Sequence, residues 1–190
     1  MQFFRLMDDI NFPSRWHLGG LIGVDGREFV RPPMIPLNDP LRDQVYNVEV
    51  QVAGRAMDYT TTSFRSVPVA SFKVVQAISG LDGFTAFPAR IVGFPQETSY
   101  HILHFWDEVE CVDEERSRFE KYEVDDPVRP DLAGHYRGFF KLIIDPQRAA
   151  NKHIFKLAKS GPQVVVSEEV KRRFEAAGVT GAVFESVVPI

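Results

Sequence analysis

The stretch that most constrains this chain is its last third, from His153 to Val187, which reads HIFKLAKSGPQVVVSEEVKRRFEAAGVTGAVFESV. Short apolar runs surround a single amphipathic helix. Ser167 stands at the start, where its hydroxyl can accept from an unpaired N–H of the first turn. Glu168 and Glu169 follow, where negative charge meets the positive helix end. Glu at the third helical position would complete a capping box, but Val170 is there. Val170, Phe174 and Ala177 recur at helical spacing and make one apolar stripe. Glu168 with Arg172 and Glu169 with Arg173 are i,i+4 pairs in the favourable order. Gly178 supplies a left-handed stop onto which Val179 can fold back. The β-branched run Gln163-Val164-Val165-Val166 precedes the helix, and Ala182 to Val187 follows it. Each reads as a strand. Strand, helix and strand in such close succession predict a βαβ or split unit, with the helix covering one sheet face. Phe174 is expected to be buried.

Upstream, Phe3, Phe4 and Leu6 read as an edge strand. Asp25-Gly26, between Leu21 to Val24 and Glu28 to Val30, reads as a hairpin turn. Pro32, Pro33, Pro36 and Pro40 make residues 32–40 an extended connector. Tyr46 to Val52 alternates strictly and is the clearest half-buried strand. Tyr59 to Thr62 is strand-like, with Thr60 to Thr62 bordering solvent or a partner. Pro68 to Gly80 is a second helix, capped by Ser71, with Phe72, Val75 and Ile78 at helical spacing. Phe84 to Phe87 and Ala89 to Val92 read as strands parted by Pro88. Tyr100 to Phe105, Val109 to Val112 and Phe139 to Ile144 are further strands, and residues 125–134 form an exposed loop. The fold class expected is α+β: a mixed or mainly antiparallel sheet, few helices, and a C-terminal strand-helix-strand unit. One globular domain spans 1–190, with room for a β-rich lobe over 1–66 and an α+β lobe over 67–190.

Of 190 residues, 44% are apolar and 25% charged, an ordinary soluble composition, and sixteen Phe imply a phenylalanine-rich core. The lone Cys111 excludes an internal disulfide and leans towards a reducing compartment. No basic start followed by a long apolar run opens the chain, and no run reaches the length of a membrane span. The expected location is the cytoplasm, without membrane contact.

The net charge of −4 is unevenly spread. Ten acids between Asp107 and Asp126 face only Arg116, Arg118 and Lys121, a net of −7. Elsewhere nineteen bases face sixteen acids, or +3. Such a segment repels nucleic acid and suits a basic protein partner or a cation; the structural alternative is a solvated face. The candidate partner-binding residues are Asp107, Glu108, Glu110, Glu114 and Glu115.

Recognisable catalytic arrangements fail one by one. Gly19-Gly20 and Gly23 are followed by no helix and no Lys-Ser/Thr, so they form no phosphate loop. His101 and His104 are three apart on a strand and point to opposite faces, which defeats a shared zinc. His17 beside Trp16 reads as a core histidine, and Cys111 as an inert strand cysteine. No Gly-x-Ser-x-Gly elbow or His-Glu-x-x-His motif occurs. Lys171, Arg172 and Arg173 share their helix with glutamates, which disfavours a nucleic-acid patch. No cofactor, metal or catalytic residue is expected.

Several separated pieces nevertheless fit one pattern: Arg15-Trp16-His17-Leu18-Gly19, Pro68 to Ser71, Phe87 to Gly93 and Tyr100-His101-Ile102-Leu103. Val112-Asp113 with Ser117, Ile143-Ile144-Asp145, Ile154-Phe155-Lys156, Val165-Val166-Ser167, and Gly178-Val179-Thr180-Gly181 with Phe184 complete it. In this order they resemble the immunity protein 11 family of bacterial polymorphic toxin systems. The resemblance covers most of the chain and is weakest over 31–66. It implies an intracellular protein, made beside a toxin that is often a nuclease or other hydrolase, which binds that toxin and spares the producing cell; it does not imply catalysis. It also implies structural roles for the shared residues: Trp16 and Phe155 in a core, Gly181 turning the chain, Ser167 capping a helix. Two rival readings are an enzyme with a pocket near His17 or Cys111, and a self-associating module. The neighbouring gene discriminates between them.

Overall fold

The computed structural model describes residues 1–22, 26, 28–29, 45–63, 66–94, 98–161 and 163–187. The proline-rich connector over 32–40 lies outside these, as does most of the Asp25-Gly26 turn. Two large sheets and one separate hairpin make up the fold. The five-stranded sheet contains β1 (Phe3–Asp8), β9 (Glu108–Val109), β12 (Ile154–Leu157), β13 (Val164–Ser167) and β14 (Ala182–Ser186), in the order β14-β1-β13-β12-β9. The seven-stranded sheet contains β2 (His17–Ile22), β3 (Glu28–Phe29), β4 (Tyr46–Val52), β5 (Tyr59–Thr61), β6 (Pro68–Ser71), β7 (Phe84–Val92) and β8 (Tyr100–Phe105), in the order β3-β2-β4-β7-β8-β6-β5. Among the described residues, strand β10 (Arg118–Lys121) pairs only with β11 (Tyr136–Lys141). The α-helices among the described residues are α1 (Phe72–Ala77) and α2 (Glu168–Ala176). Among the described residues all ladders are antiparallel except β4 with β7 and β9 with β12, which is consistent with the expected α+β class and its mixed sheets. Strands from both sides of residue 66 lie in each large sheet.

The C-terminal unit shows how local sequence and tertiary packing meet. β13 and β14 both pair antiparallel with β1, so β1 lies between them and α2 crosses over. β1 is therefore an interior strand, not an edge. Its apolar residues suited either position; its two partners come from the far end of the chain, beyond the reach of local patterning. β13 is buried at every position. Val164 and Val166 face the core that holds both helices, while Val165 faces a second core with Phe3, Cys111, Phe155 and Val187. A strand covered on both faces needs apolar residues throughout, hence an unbroken valine run instead of alternation.

Helix α2 buries Val170 and Phe174 only; Ala177 is exposed at the C-cap. Gly178, at φ 63°, ends the helix with both bonds of a Schellman turn: Gly178 N–H to Glu175 O at 3.1 Å and Val179 N–H to Phe174 O at 3.0 Å. Neither expected hydroxyl cap forms. The Ser167 hydroxyl bonds to His153 Nδ1 at 2.8 Å, and that of Ser71 donates to Asp58 at 2.8 Å. Both serines end buried strands, so their hydroxyls serve tertiary neighbours instead of the first turn. Arg173 holds Glu169 as expected, at 2.7 Å, but Arg172 also turns to Glu169 and not to Glu168. Residues 68–71 are strand, and α1 starts only at Phe72, which is half exposed while Val74 and Ile78 are buried. Thr60 and Thr62 are buried, not solvent-facing. Pro88 does not break its strand: β7 runs through it, and pairing with β4 begins one residue later, at Ala89. Gly181 has φ 83°, and a Cβ there would collide with the Tyr59 carbonyl oxygen, so this turn demands glycine.

Candidate binding surface

The acidic segment starts at β9, the edge of the five-stranded sheet, and ends in the β10–β11 hairpin. Its acids are not bare. Lysines on and beside β12 lie across from them: Asp107 pairs with Lys152, Glu108 with Lys156 and Glu110 with Lys159, each at 2.7 Å. The parallel register of β9 on β12, Glu108 opposite Lys156, imposes this match. Glu110 is held below its usual carboxylate value by the Lys159 ammonium. Glu114 Oε1 accepts from Lys121 Nζ and from the Tyr136 hydroxyl, both at 2.6 Å, which lowers its own pKa. Burial, and then Glu114, push the Tyr136 phenol up. Glu115 is exposed with no ion pair among the described residues. Four of the five candidate acids, Asp107, Glu108, Glu110 and Glu114, are thus each paired with a lysine. Sequence reading missed Lys152, Lys156 and Lys159, which lie 45, 48 and 49 residues further along than their partners.

Beside this ridge, the β10–β11 hairpin leans over the seam between the two large sheets. Beneath it is a cleft of about 490 Å³. Leu103, Phe105, Phe139 and Leu157 supply apolar wall, and His135, Arg137 and Lys156 supply polar wall. Phe119, Tyr136 and Phe139 stack edge and face on one side of the hairpin, and the Lys121 ammonium lies over two of those rings. The other side is open. Phe140 is 65% exposed under the Arg118 guanidinium, and nothing approaches the position of a Gly138 side chain. Ladder shifts between Arg118 and Phe119 leave Phe140 as an extra residue, which turns it outward. The run from Phe139 to Ile144, expected as one strand, divides: β11 ends at Lys141, and the buried residues Leu142 to Ile144 follow it outside the strand.

Two serines have partners of the kind nucleophiles use. Ser71 donates to Asp58, which also accepts from Lys73 at 2.9 Å, and Ser167 touches His153. Both serines are buried, at 1% and 0% exposure, so no substrate reaches either oxygen. His17 is exposed, against the expectation of a core histidine: Trp16 turns into the core and the next residue must turn out. His101 and His104 lie on β8 as alternation predicts, and burial pulls His101 below the usual imidazole value. No group of three or more His, Cys, Asp or Glu among the described residues is arranged to hold a metal. No described helix is long and apolar enough to cross a membrane.

Cys111 is fully buried against Phe3, Phe155 and Val165. Burial, and then the Asp145 carboxylate, push its thiol up to about 12. A thiol reagent should therefore fail to label native protein at pH 8 over an hour and label it stoichiometrically once urea unfolds it. Rapid labelling of the native fold would show that the site opens.

A model of the immunity protein family (Imm11) matches residues 76–189 of this chain. No curated protein matches it.

Proposed function

The chain belongs to the immunity protein family Imm11, and on that premise we propose that it is an immunity protein of a bacterial polymorphic toxin system. It binds a cognate toxin domain, a nuclease or similar hydrolase, in the cytoplasm of the producing cell and neutralises it without catalysis. The family match over 76–189 is the observation that carries this reading. Its contact surface includes Asp107, Glu108, Glu110, Glu114 and Glu115. The lysine partners do not disable these acids. Ion pairs open to solvent are weak, so an arriving arginine or lysine can exchange with Lys156 or Lys159 at small cost. A nuclease presents a basic cleft to its phosphate substrate, and an acidic inhibitor is steered into that cleft. The environments of Cys111 and His17 favour binding over the enzyme reading: one is a buried, fully protonated thiol, the other an exposed ring.

Co-expression with the toxin encoded beside this gene tests the proposal. Wild type should restore growth. Glu108→Lys/Glu110→Lys and Glu114→Lys/Glu115→Lys should associate with the toxin about tenfold more slowly at low salt, with unfolding midpoints measured in parallel because Glu114 also holds Tyr136. Failure of wild type to protect would sink the immunity reading; unchanged association rates in both double variants would sink the acidic contact surface alone.

A further inference from the structure

The hairpin formed by β10 and β11 ends in a long tip, residues 123–133. Val124 is 83% exposed and Val128 78%, the two highest values among the exposed large apolar residues described. The backbone beneath them is pinned. Asp126 Oδ1 accepts from the Val128 N–H at 2.9 Å and the Arg129 N–H at 2.7 Å. Tyr122 exchanges 2.9 Å backbone bonds with the far side, its N–H to His135 O and its carbonyl from the Gly134 N–H. Arg129 forks onto Asp131 at 2.8 and 2.9 Å. The fold thus holds two valines in water on an ordered loop, where they contribute nothing to its own burial.

Charge narrows what can cover them. From Glu123 to Asp131 there are four acids and one base, a net of −3, and Asp131 already claims that base. Glu123 and Asp125 are exposed and hold no ion pair among the described residues. A second copy of this chain would bring −3 against −3. Nucleic acid and an anionic lipid surface are repelled in the same way. A cationic protein surface is attracted.

We propose that this tip is the apolar anchor of the toxin complex: Val124 and Val128 enter an apolar recess on the toxin domain, and Glu123 and Asp125 close over its lysine- and arginine-rich rim. The proposal rests on the immunity reading above. It also divides the labour on this surface. The lysine-matched acids of the ridge steer encounter, whereas the desolvated anchor sets how long the complex lasts.

The probe is the purified toxin domain encoded beside this gene, with its activity disabled. Binding is followed in real time at about 50 and 200 mM salt. Val124→Ser/Val128→Ser should raise Kd at least about tenfold, mainly through faster dissociation. Glu123→Lys/Asp125→Lys should slow association and flatten its salt dependence. Both pairs should keep the wild-type unfolding midpoint, since all four side chains already face solvent. A serine pair that binds within twofold of wild type overturns the anchor while leaving the immunity reading standing. Wild type that does not bind the toxin at all overturns both.

Discussion

Phe174→Ala should cost about 3–5 kcal/mol of folding stability, the range for truncating a buried aromatic in a packed core. Phe174 is 2% exposed. Its ring meets Phe184 of β14 edge to face at 5.7 Å and Tyr59 of β5 at 6.5 Å. It therefore joins α2 to the five-stranded sheet on one side and to the end of the seven-stranded sheet on the other. Removal strips both contacts at once, and neither sheet can collapse into the space, because β14 and β5 are fixed by their own ladders. In a domain of this size the loss should appear as a fall in the unfolding midpoint of roughly 10 °C. Phe174→Leu keeps much of the volume and should cost about 1.5 kcal/mol or less. Urea unfolding of the three proteins at pH 7 decides the matter: a midpoint for Phe174→Ala equal to that of wild type would mean the helix does not seat on that core. Cys111 should stay unreactive in native Phe174→Ala, because it belongs to the core on the opposite face of the five-stranded sheet.

What could be read from sequence divides along the same line as the forces involved. Helix α2 was legible because its determinants are local: a stripe of Val170 and Phe174, acids in the first turn, and Gly178 to end it. The same holds for the alternating residues of β4 and for the unbroken valines of β13. Sheet order was not legible, because β1 finds its partners far along the chain, at Val164–Ser167 and Ala182–Ser186. The serine caps failed for a related reason. A hydroxyl beside a helix start has a choice of acceptors, and the tertiary ones, Asp58 and His153, are invisible to a local rule. The acidic segment is visible in a count of charge along the sequence. Its lysine partners were missed because they arrive through the β9–β12 pairing. The tip valines carried a faint signal: Val124 and Val128 stand among acids and prolines in Glu123 to Pro130, and Pro127 and Pro130 keep their four-residue spacing from forming a helix that would draw them into the core.

Asp58→Ala should cost about 3 kcal/mol, because this carboxylate ties three parts of the chain together. Its Oδ2 accepts from the Thr180 N–H at 2.9 Å, the Thr180 hydroxyl at 2.9 Å and Lys73 Nζ at 2.9 Å. Its Oδ1 accepts from the Ser71 hydroxyl at 2.8 Å. The turn between α2 and β14, the start of α1 and the entry to β5 are thereby held at one point, next to the obligatory glycine at 181. Alanine leaves the Thr180 amide and the buried Ser71 hydroxyl without this acceptor, and each stranded donor costs about 1–3 kcal/mol. Lys73 adds little, since its ammonium is half exposed. Acid titrates the same interaction. Burial alone would raise the Asp58 pKa, but the bonds from Thr180, Lys73 and Ser71 outweigh it and hold the carboxyl below its ordinary value. A folded-state pKa below that of the unfolded chain, about 3.9, means the contribution is complete above that pH and is lost as pH falls through the folded value. Asp58→Asn keeps the shape and removes the charge. It should be destabilised at pH 7, and the gap separating it from wild type should shrink steadily below pH 4, as wild type loses what the variant never had. Urea midpoints measured from pH 7 to pH 2 on wild type, Asp58→Ala and Asp58→Asn test this; parallel curves for wild type and Asp58→Asn across that whole range would show that the carboxylate does not couple these three segments.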